Sequence, residues 1–278
     1  MHLLLALDKN FEHLASVAIT SFLPHQKFES LVIVSPEMLK FELIEKISQV
    51  FEIPYYHYLI PHDSSLHLLG NDVRPYFYCI EALSQESPGR YLYVDADTLC
   101  VANLGMLSSL ELDANTPLAA CSHGRPMPDR SLILGLRSAF HYFNAGVLLF
   151  DSVHLKSILT PKIAIDFYIK NKVMCRFREQ CSLNALLSSN VKFIPNQFNV
   201  LSWMRARNAE HPWQDISINS MAYCLQDVRE NMSIVHFSNG TLPDRIPSER
   251  HERVDEYWLL LKKNLSNPGK MPLYSDLW

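Results

Sequence analysis

The segment Tyr91-Leu92-Tyr93-Val94-Asp95-Ala96-Asp97-Thr98 runs four strand-forming residues straight into two carboxylates spaced i, i+2. In an extended chain that spacing points both side chains to the same side. Two like charges held together cost energy unless a cation neutralises them. Oxygen donors suit Mg²⁺ or Mn²⁺, which keep one or two carboxylates and fill their remaining positions with phosphate and water oxygens. The pattern therefore offers a grip on a nucleoside diphosphate. His236, near the end of the apolar stretch Ser233 to Phe237, is a reasonable further ligand beside two carboxylates. Asp8 follows the apolar run Leu3 to Leu7, where a carboxylate can accept the N3–H of uracil, a proton that cytosine lacks. Arg74, just ahead of Pro75, carries a guanidinium fork suited to phosphate oxygens. Asn144-Ala145-Gly146 places small residues within an apolar stretch, allowing a ligand close to the backbone, and the Asn144 amide can bond hydroxyls. Glu179-Gln180 opens a helical segment, where an acid is also favoured by the dipole. The irregular stretch 196–215 carries Trp203, Arg205, Arg207 and Trp213, a candidate acceptor wall because rings stack on sugar faces.

Elements must hold these groups in place. Leu3 to Leu7, Leu31 to Val34, residues 55–60 and Tyr91 to Val94 read as buried strands. Residues 12–22, a segment from Pro36 to about residue 50, and residues 75–84 read as the intervening helices. The alternation predicts an α/β fold with a mixed, mostly parallel sheet flanked by helices. Ligands of such sheets bind beyond the carboxyl ends of the strands, here residues 7–11 and 95–98. Further on, Tyr142 to Phe150 reads as a strand interrupted at Asn144-Ala145-Gly146, and 153–170 and 179–188 as helices. Ser233 to Phe237 is a last strand, and from 249 a terminal helix carries Val254, Tyr257, Trp258, Leu261 and Leu265 on one stripe. The expected division is a main domain over 1–245 and a docked helical tail over 246–278, whose stripe with Lys262 and Lys263 offers a peripheral membrane contact.

The 278 residues carry 25 Lys and Arg against 29 Asp and Glu, a net charge of −4, with 48% apolar residues. That balance belongs to a globular chain rather than a disordered one. It also lacks the basic excess of a nucleic-acid binder. No apolar run approaches the ~20 residues of a membrane helix. No basic region precedes Leu3, and Asp8-Lys9 soon follows, so no secretory signal is expected and the cytoplasm, with a peripheral place at the inner membrane face, is the expected location. Cys79, Cys100, Cys121, Cys175, Cys181 and Cys224 form no C-x-x-C pair and read as buried, reduced thiols.

Five segments in order resemble glycosyltransferase family 8, retaining enzymes of GT-A fold that include bacterial lipopolysaccharide galactosyl- and glucosyltransferases and glycogenin. They are Ala6-Leu7-Asp8-Lys9-Asn10-Phe11, the Asp95-Ala96-Asp97 strand end, Phe143-Asn144-Ala145-Gly146-Val147-Leu148-Leu149, Arg178-Glu179-Gln180-Cys181-Ser182-Leu183-Asn184, and Val235-His236-Phe237-Ser238. The resemblance spans roughly residues 3–245. It implies Mn²⁺ or Mg²⁺ on Asp95, Asp97 and His236, and a UDP-sugar donor held by Ala6, Asp8, Asn10, Phe11, Arg74, Asp95, Ala96, Asp97, Gly240 and Arg245. Asn144, Glu179 and Gln180 are the implied catalytic set, and a sugar or glycolipid is the implied acceptor. The chain departs from the family at four of these places. Phe11 replaces the usual Tyr, Glu179 the usual Asp, and Cys181 another Asp, while Leu242 stands where a Lys normally meets the diphosphate, with Arg245 the nearby substitute.

The implied activity is metal-dependent hexosyl transfer with retention. Retention can proceed through a glycosyl-enzyme intermediate. It can also proceed by acceptor attack on the leaving-group face, with the departing phosphate taking the proton; no suitably placed nucleophile is evident, which favours this second route. Two alternatives stand beside it. A non-catalytic nucleotide-sugar-binding relative is suggested by Leu242 and Cys181. A sugar nucleotidyltransferase would need a Gly-rich basic loop near the start, and residues 6–13 have no Gly and one Lys.

Overall fold

The computed structural model describes residues 1–84, 87–205 and 231–277. Its strands are β1 (His2–Ala6), β2 (Leu31–Ser35), β3 (Tyr55–Leu59), β4 (Arg90–Val94), β5 (Thr98–Cys100), β6 (Leu118–Ser122), β7 (Phe143–Asp151), β8 (Val191–Ile194), β9 (Val200–Leu201) and β10 (Ile234–His236). Seven of them form one sheet in the order β3-β2-β1-β4-β7-β6-β8, and β5-β10-β9 form a small second sheet. In the large sheet β7 alone runs against its neighbours, pairing antiparallel with β4 and β6. The other pairs are parallel.

Strand alternation divides the core. Leu3, Leu5, Ile33, Leu92 and Val94 face the helices Glu12–Phe22 and Glu42–Val50, meeting Ala18, Phe22, Ile44 and Ile47. Leu4, Val32, Tyr91 and Tyr93 face the opposite layer, built from Tyr78–Leu83, Pro161–Lys170 and Arg178–Leu187. A third cluster joins the small sheet to the helix Arg253–Asn264: Leu99, Val235 and Phe237 pack with Val254, Tyr257, Trp258 and Leu261. The apolar stripe of this terminal helix is thus buried, and Lys262 pairs with Asp244. The stripe expected to offer a membrane contact is occupied by the protein's own core.

Two helices differ from expectation. The helix placed from Pro36 begins only at Glu42; the stretch before it bends, with the Ser35 hydroxyl donating to the Glu37 carbonyl at 2.6 Å. The helix placed over 153–170 is two, Ser152–Leu155 and Pro161–Lys170. Pro161 starts the second because proline fits a first helical turn, and Thr160 caps the Ile163 amide at 3.3 Å. β7 extends from Phe143 to Asp151, and its pairing with β6 slips at the expected Asn144-Ala145-Gly146: Ala120 pairs with Leu148 and Ser122 with Phe143, which leaves the extra residues on β7 as a bulge. Among the described residues, no helix is long and apolar enough to cross a membrane.

Candidate active site

β4 pairs with β7 as far as Val94 and Val147, and the ladder continues one step as the Asp95 amide donates to the Gly146 carbonyl at 2.8 Å. The chain then turns sharply, with the Thr98 amide and hydroxyl both bonding the Asp95 carbonyl at 3.2 and 2.8 Å. This turn starts β5, whose Thr98 pairs with His236 on β10. The Phe237 amide ties back to the Asp97 carbonyl at 2.9 Å. Two sheets thus meet at one corner, and the corner holds Asp95, Asp97 and His236. His236 Nε2 lies 3.2 Å from Asp97 Oδ1 and 3.8 Å from Asp95 Oδ2.

The side chains of Asp95 and Asp97 keep 40% and 29% of their exposure, against 5% for His236, so the acids are open to solvent and the imidazole is buried behind them. Burial raises the Asp95 pKa, with the His236 charge opposing and Asp97 reinforcing. Burial works against a charge on His236, but the two acids outweigh it and the net shift is upward. The corner holds a proton where two carboxylates compete for positive charge.

A hydrogen-bond chain fixes the imidazole. The Ala145 amide donates to Gln180 Oε1 at 3.1 Å, and the Gly146 amide donates to Asn144 Oδ1 at 2.9 Å. Backbone amides can only donate, so both side-chain oxygens are identified. Asn144 Nδ2 then donates to Gln180 Oε1 at 3.0 Å, and Asn199 Nδ2 donates to Asn144 Oδ1 at 2.8 Å. That leaves Asn199 Oδ1 as the acceptor for His236 Nδ1–H at 3.0 Å. The neutral imidazole carries its proton on Nδ1 and directs the Nε2 lone pair at the acids, the form a metal ligand needs. Tyr93 adds a hydroxyl that donates to Asp95 Oδ1 at 2.7 Å.

The three ligand atoms lie within 4.8 Å of one another. Two carboxylate oxygens and a neutral imidazole nitrogen fit Mn²⁺ or Mg²⁺. Gly146 makes the corner possible, because a Cβ there would stand 2.2 Å from His236 Cε1 and 2.8 Å from Asp95 Oδ2.

Glu179 and Gln180 begin the helix Arg178–Leu187. Arg178 itself sits at a left-handed φ of 45°, with its guanidinium 3.9 Å above the Tyr76 ring. Asn184, one turn further along, brackets both backbone groups of Phe143, at 2.7 and 2.9 Å, and so fastens this helix to the start of β7. Glu179 Oε2 is buried without a partner. Burial chiefly, with Asp95 adding to it, pushes its pKa up to about 8. Cys181 accepts from the Phe177 amide at 3.4 Å and meets the Tyr142 hydroxyl at 3.2 Å.

The other expected residues sit around this corner or away from it. Asp8 caps the turn after β1, accepting the Asn10 amide at 2.8 Å, and Phe11 beside it is 44% exposed. Ala6 ends β1. Arg74 donates to the carbonyls of Leu66 and Leu69 at 3.2 and 3.1 Å, and both it and Asp8 act on the Tyr78 hydroxyl. Gly240 takes a left-handed φ of 73°, with Arg245 Nη1 3.9 Å from where its Cβ would be. Leu242 is buried among Phe237 and Trp258, so the family's lysine position is core here.

The expected acceptor wall is corrected in part. Trp203 supports Arg125 at 4.3 Å and stacks with His123. Arg205, however, is buried, and its Nη1 pairs with Asp255 at 3.0 Å and Glu252 at 3.4 Å, which ties it to the terminal helix rather than to an acceptor wall. Arg207, Trp213 and Cys224 lie outside the described residues. Sequence reasoning missed Asn199, whose only trace is a polar residue inside the apolar run Phe198 to Leu201. It also missed Tyr93 and His123. The His123 Nδ1 is buried without a partner, and burial chiefly, helped by Arg125, holds its pKa down near 4.

Residues 76–243 match the description of glycosyl transferase family 8. The chain belongs to glycosyl transferase family 8. Within it, a lipopolysaccharide 1,2-glucosyltransferase of Escherichia coli (strain K12) is 22% identical over 162 residues, 55% of this chain and 44% of that protein. The chain's matches span less than half the length of the curated relatives, 44% and 33%. The fold is that of a galactosyltransferase, LgtC, solved with donor and acceptor sugar analogs: TM-score 0.72 at 16% identity, covering 96% of this chain and 97% of that one. The glycosyltransferase GlyE of Streptococcus pneumoniae TIGR4 is also similar, with TM-score 0.65 at 18% identity over 96% of this chain and 62% of that one. The family 8 chain accordingly has the GT-A architecture expected of it.

Proposed function

We propose that this family 8 chain moves a hexose from a UDP-sugar to a hydroxyl of a sugar or glycolipid acceptor, with retention at the anomeric carbon. The observation that carries this reading is the convergence of Asp95, Asp97 and His236 at the rim where Asn144, Gln180 and Glu179 also arrive. Mn²⁺ or Mg²⁺ held by these three ligands would supply Lewis-acid neutralisation of the charge on the departing diphosphate. Asp8 and Phe11 stand where β1 ends and are suited to the uracil edge and face. Asn144 has both ends of its amide engaged, so it orients Gln180 and Asn199. Gln180 accepts twice at Oε1 and also bonds the Tyr142 side chain, which leaves one Nε2 hydrogen suited to the sugar. Glu179, its pKa pushed up to about 8 in the metal-free protein, presents a buried carboxyl whose Oε2 has no partner. A protonated carboxyl is a poor nucleophile, which supports acceptor attack on the leaving-group face over a glycosyl-enzyme intermediate.

The test is a thermal-shift panel of nucleotide sugars with and without Mn²⁺. UDP-sugars should raise the melting temperature in a Mn²⁺-dependent way, and GDP-, CMP- and ADP-sugars should not. Asp97→Asn should lose both that dependence and transfer; full transfer by this variant would remove the metal's role. The buried Leu242 favours a second reading, a binder without turnover. UDP binding with neither transfer nor hydrolysis would select it.

A further inference from the structure

Charge is unevenly placed along this chain. Between His123 and Arg178 stand nine Lys and Arg and three Asp and Glu, a surplus of six cations in a molecule of net charge −4. The same region carries its most exposed aliphatic side chains. Val173 is 97% exposed and Leu132 is 85% exposed, with Ile169 at 44% and Phe177 at 37%.

These residues come from two segments that lie side by side. Leu132 is on the helix Pro128–Leu134, whose Ser131 and Leu134 face inward. Val173 and Phe177 follow the helix Pro161–Lys170 in the turn that leads to Glu179. Arg130 Nη1 ties the two by donating to the Met174 carbonyl at 2.6 Å. Lys172 and Arg176 stand close to Val173 in its own turn, and Arg137 follows the Leu132 helix; all three are exposed, against one exposed acid on that helix, Asp129.

We propose that this edge is a docking surface for an anionic lipid bilayer. Protruding aliphatics with exposed cations close by in the chain fit a lipid surface: the apolar tips enter the acyl boundary while the cations meet headgroup phosphates. A second copy fits poorly, because a two-fold contact would set like charges against like. A protein partner would need a broad, aromatic-rich patch rather than isolated tips. Docking here would place Phe177, and with it Glu179 two residues on, next to the membrane. A glycolipid acceptor would then reach the rim from the bilayer; that last step rests on the transferase reading, and the docking does not.

The test uses the full chain with extruded vesicles of phosphatidylcholine, alone or mixed with phosphatidylglycerol, in a sedimentation assay. Binding is expected to the anionic vesicles only and to fall as salt rises. Lys172→Gln with Arg176→Gln should weaken it about five-fold per charge removed. Leu132→Asp with Val173→Asp should weaken it about ten-fold. All four positions are exposed, so the melting temperatures should not move. No binding to anionic vesicles at low salt, or full binding by both double variants, overturns the proposal. A self-association in sedimentation velocity that the Leu132→Asp, Val173→Asp variant abolishes, without vesicle binding, overturns it in favour of a second copy. The UDP and Mn²⁺ thermal shift is measured on the same samples. Its absence with vesicle binding intact would sink the transferase reading and leave the docking standing.

Discussion

At the scale of single residues, Gly146 and Glu179 make opposite demands. Gly146 is needed for an absence: any side chain there enters the space of His236 and Asp95. Its carbonyl is held by the Asp95 amide at 2.8 Å, which keeps the strand from retreating. Gly146→Ala is therefore expected to abolish the Mn²⁺-dependent thermal shift, and an unaltered Mn²⁺ titration would count against the corner as a metal site. Glu179 is needed for a proton. Its folded pKa of about 8 stands above its ordinary 4.5. The native state thus holds the proton more tightly than the unfolded chain, and this contribution to stability is lost as pH rises through that window. Glu179→Gln keeps the shape without the titration. In metal-free protein the variant should melt with the wild type near pH 5 and above it at pH 8 to 9; parallel melting curves across this range would contradict the buried-acid assignment.

At the scale of elements, the decisive object is the relay His236–Asn199–Asn144–Gln180, which crosses β10, β9's approach, β7 and a helix. Asn199→Ala leaves His236 Nδ1 and Asn144 Oδ1 short of partners. Unpaired buried groups cost about 1–3 kcal/mol each. Loss of a group that orients a ligand lowers metal affinity about 10–100-fold. Chemical denaturation and Mn²⁺ titration check the two separately. Much of the local layout was legible in the sequence. Tyr91 to Asp97 showed both its strand and its paired acids, and residues 12–22 formed the helix their stripe predicted. The relay was not legible, because its members meet only through strand order. β6 was missed as well: Leu118-Ala119-Ala120-Cys121-Ser122 lacks β-branched residues and is a strand because β7 and β8 flank it. The interruption at Asn144-Ala145-Gly146 was legible too: the Asn144 side chain bonds the Gly146 amide locally, a habit of turns, and the pairing with β6 slips there.

At the scale of the whole molecule, the small sheet and the terminal helix stabilise one another. Phe237, next to His236, meets Trp258 edge-on with ring centroids 6.2 Å apart. Trp258→Ala should cost about 3–5 kcal/mol of stability in urea denaturation. It should also weaken Mn²⁺ binding, since β10 loses its backing; stability lost with affinity unchanged would mean that β5 and β9 hold His236 alone. The reversed direction of β7 has a broader consequence. Because it runs against β4, its beginning meets β4's end, and the segment 123–142 that feeds it arrives at the same rim from the membrane-facing side proposed above. On the proposed function, the ion's ligands and the loop that would meet an acceptor thereby lie on separate stretches of polypeptide. Changes to this β6–β7 connection would then alter the acceptor side while Asp95, Asp97 and His236 stay where they are.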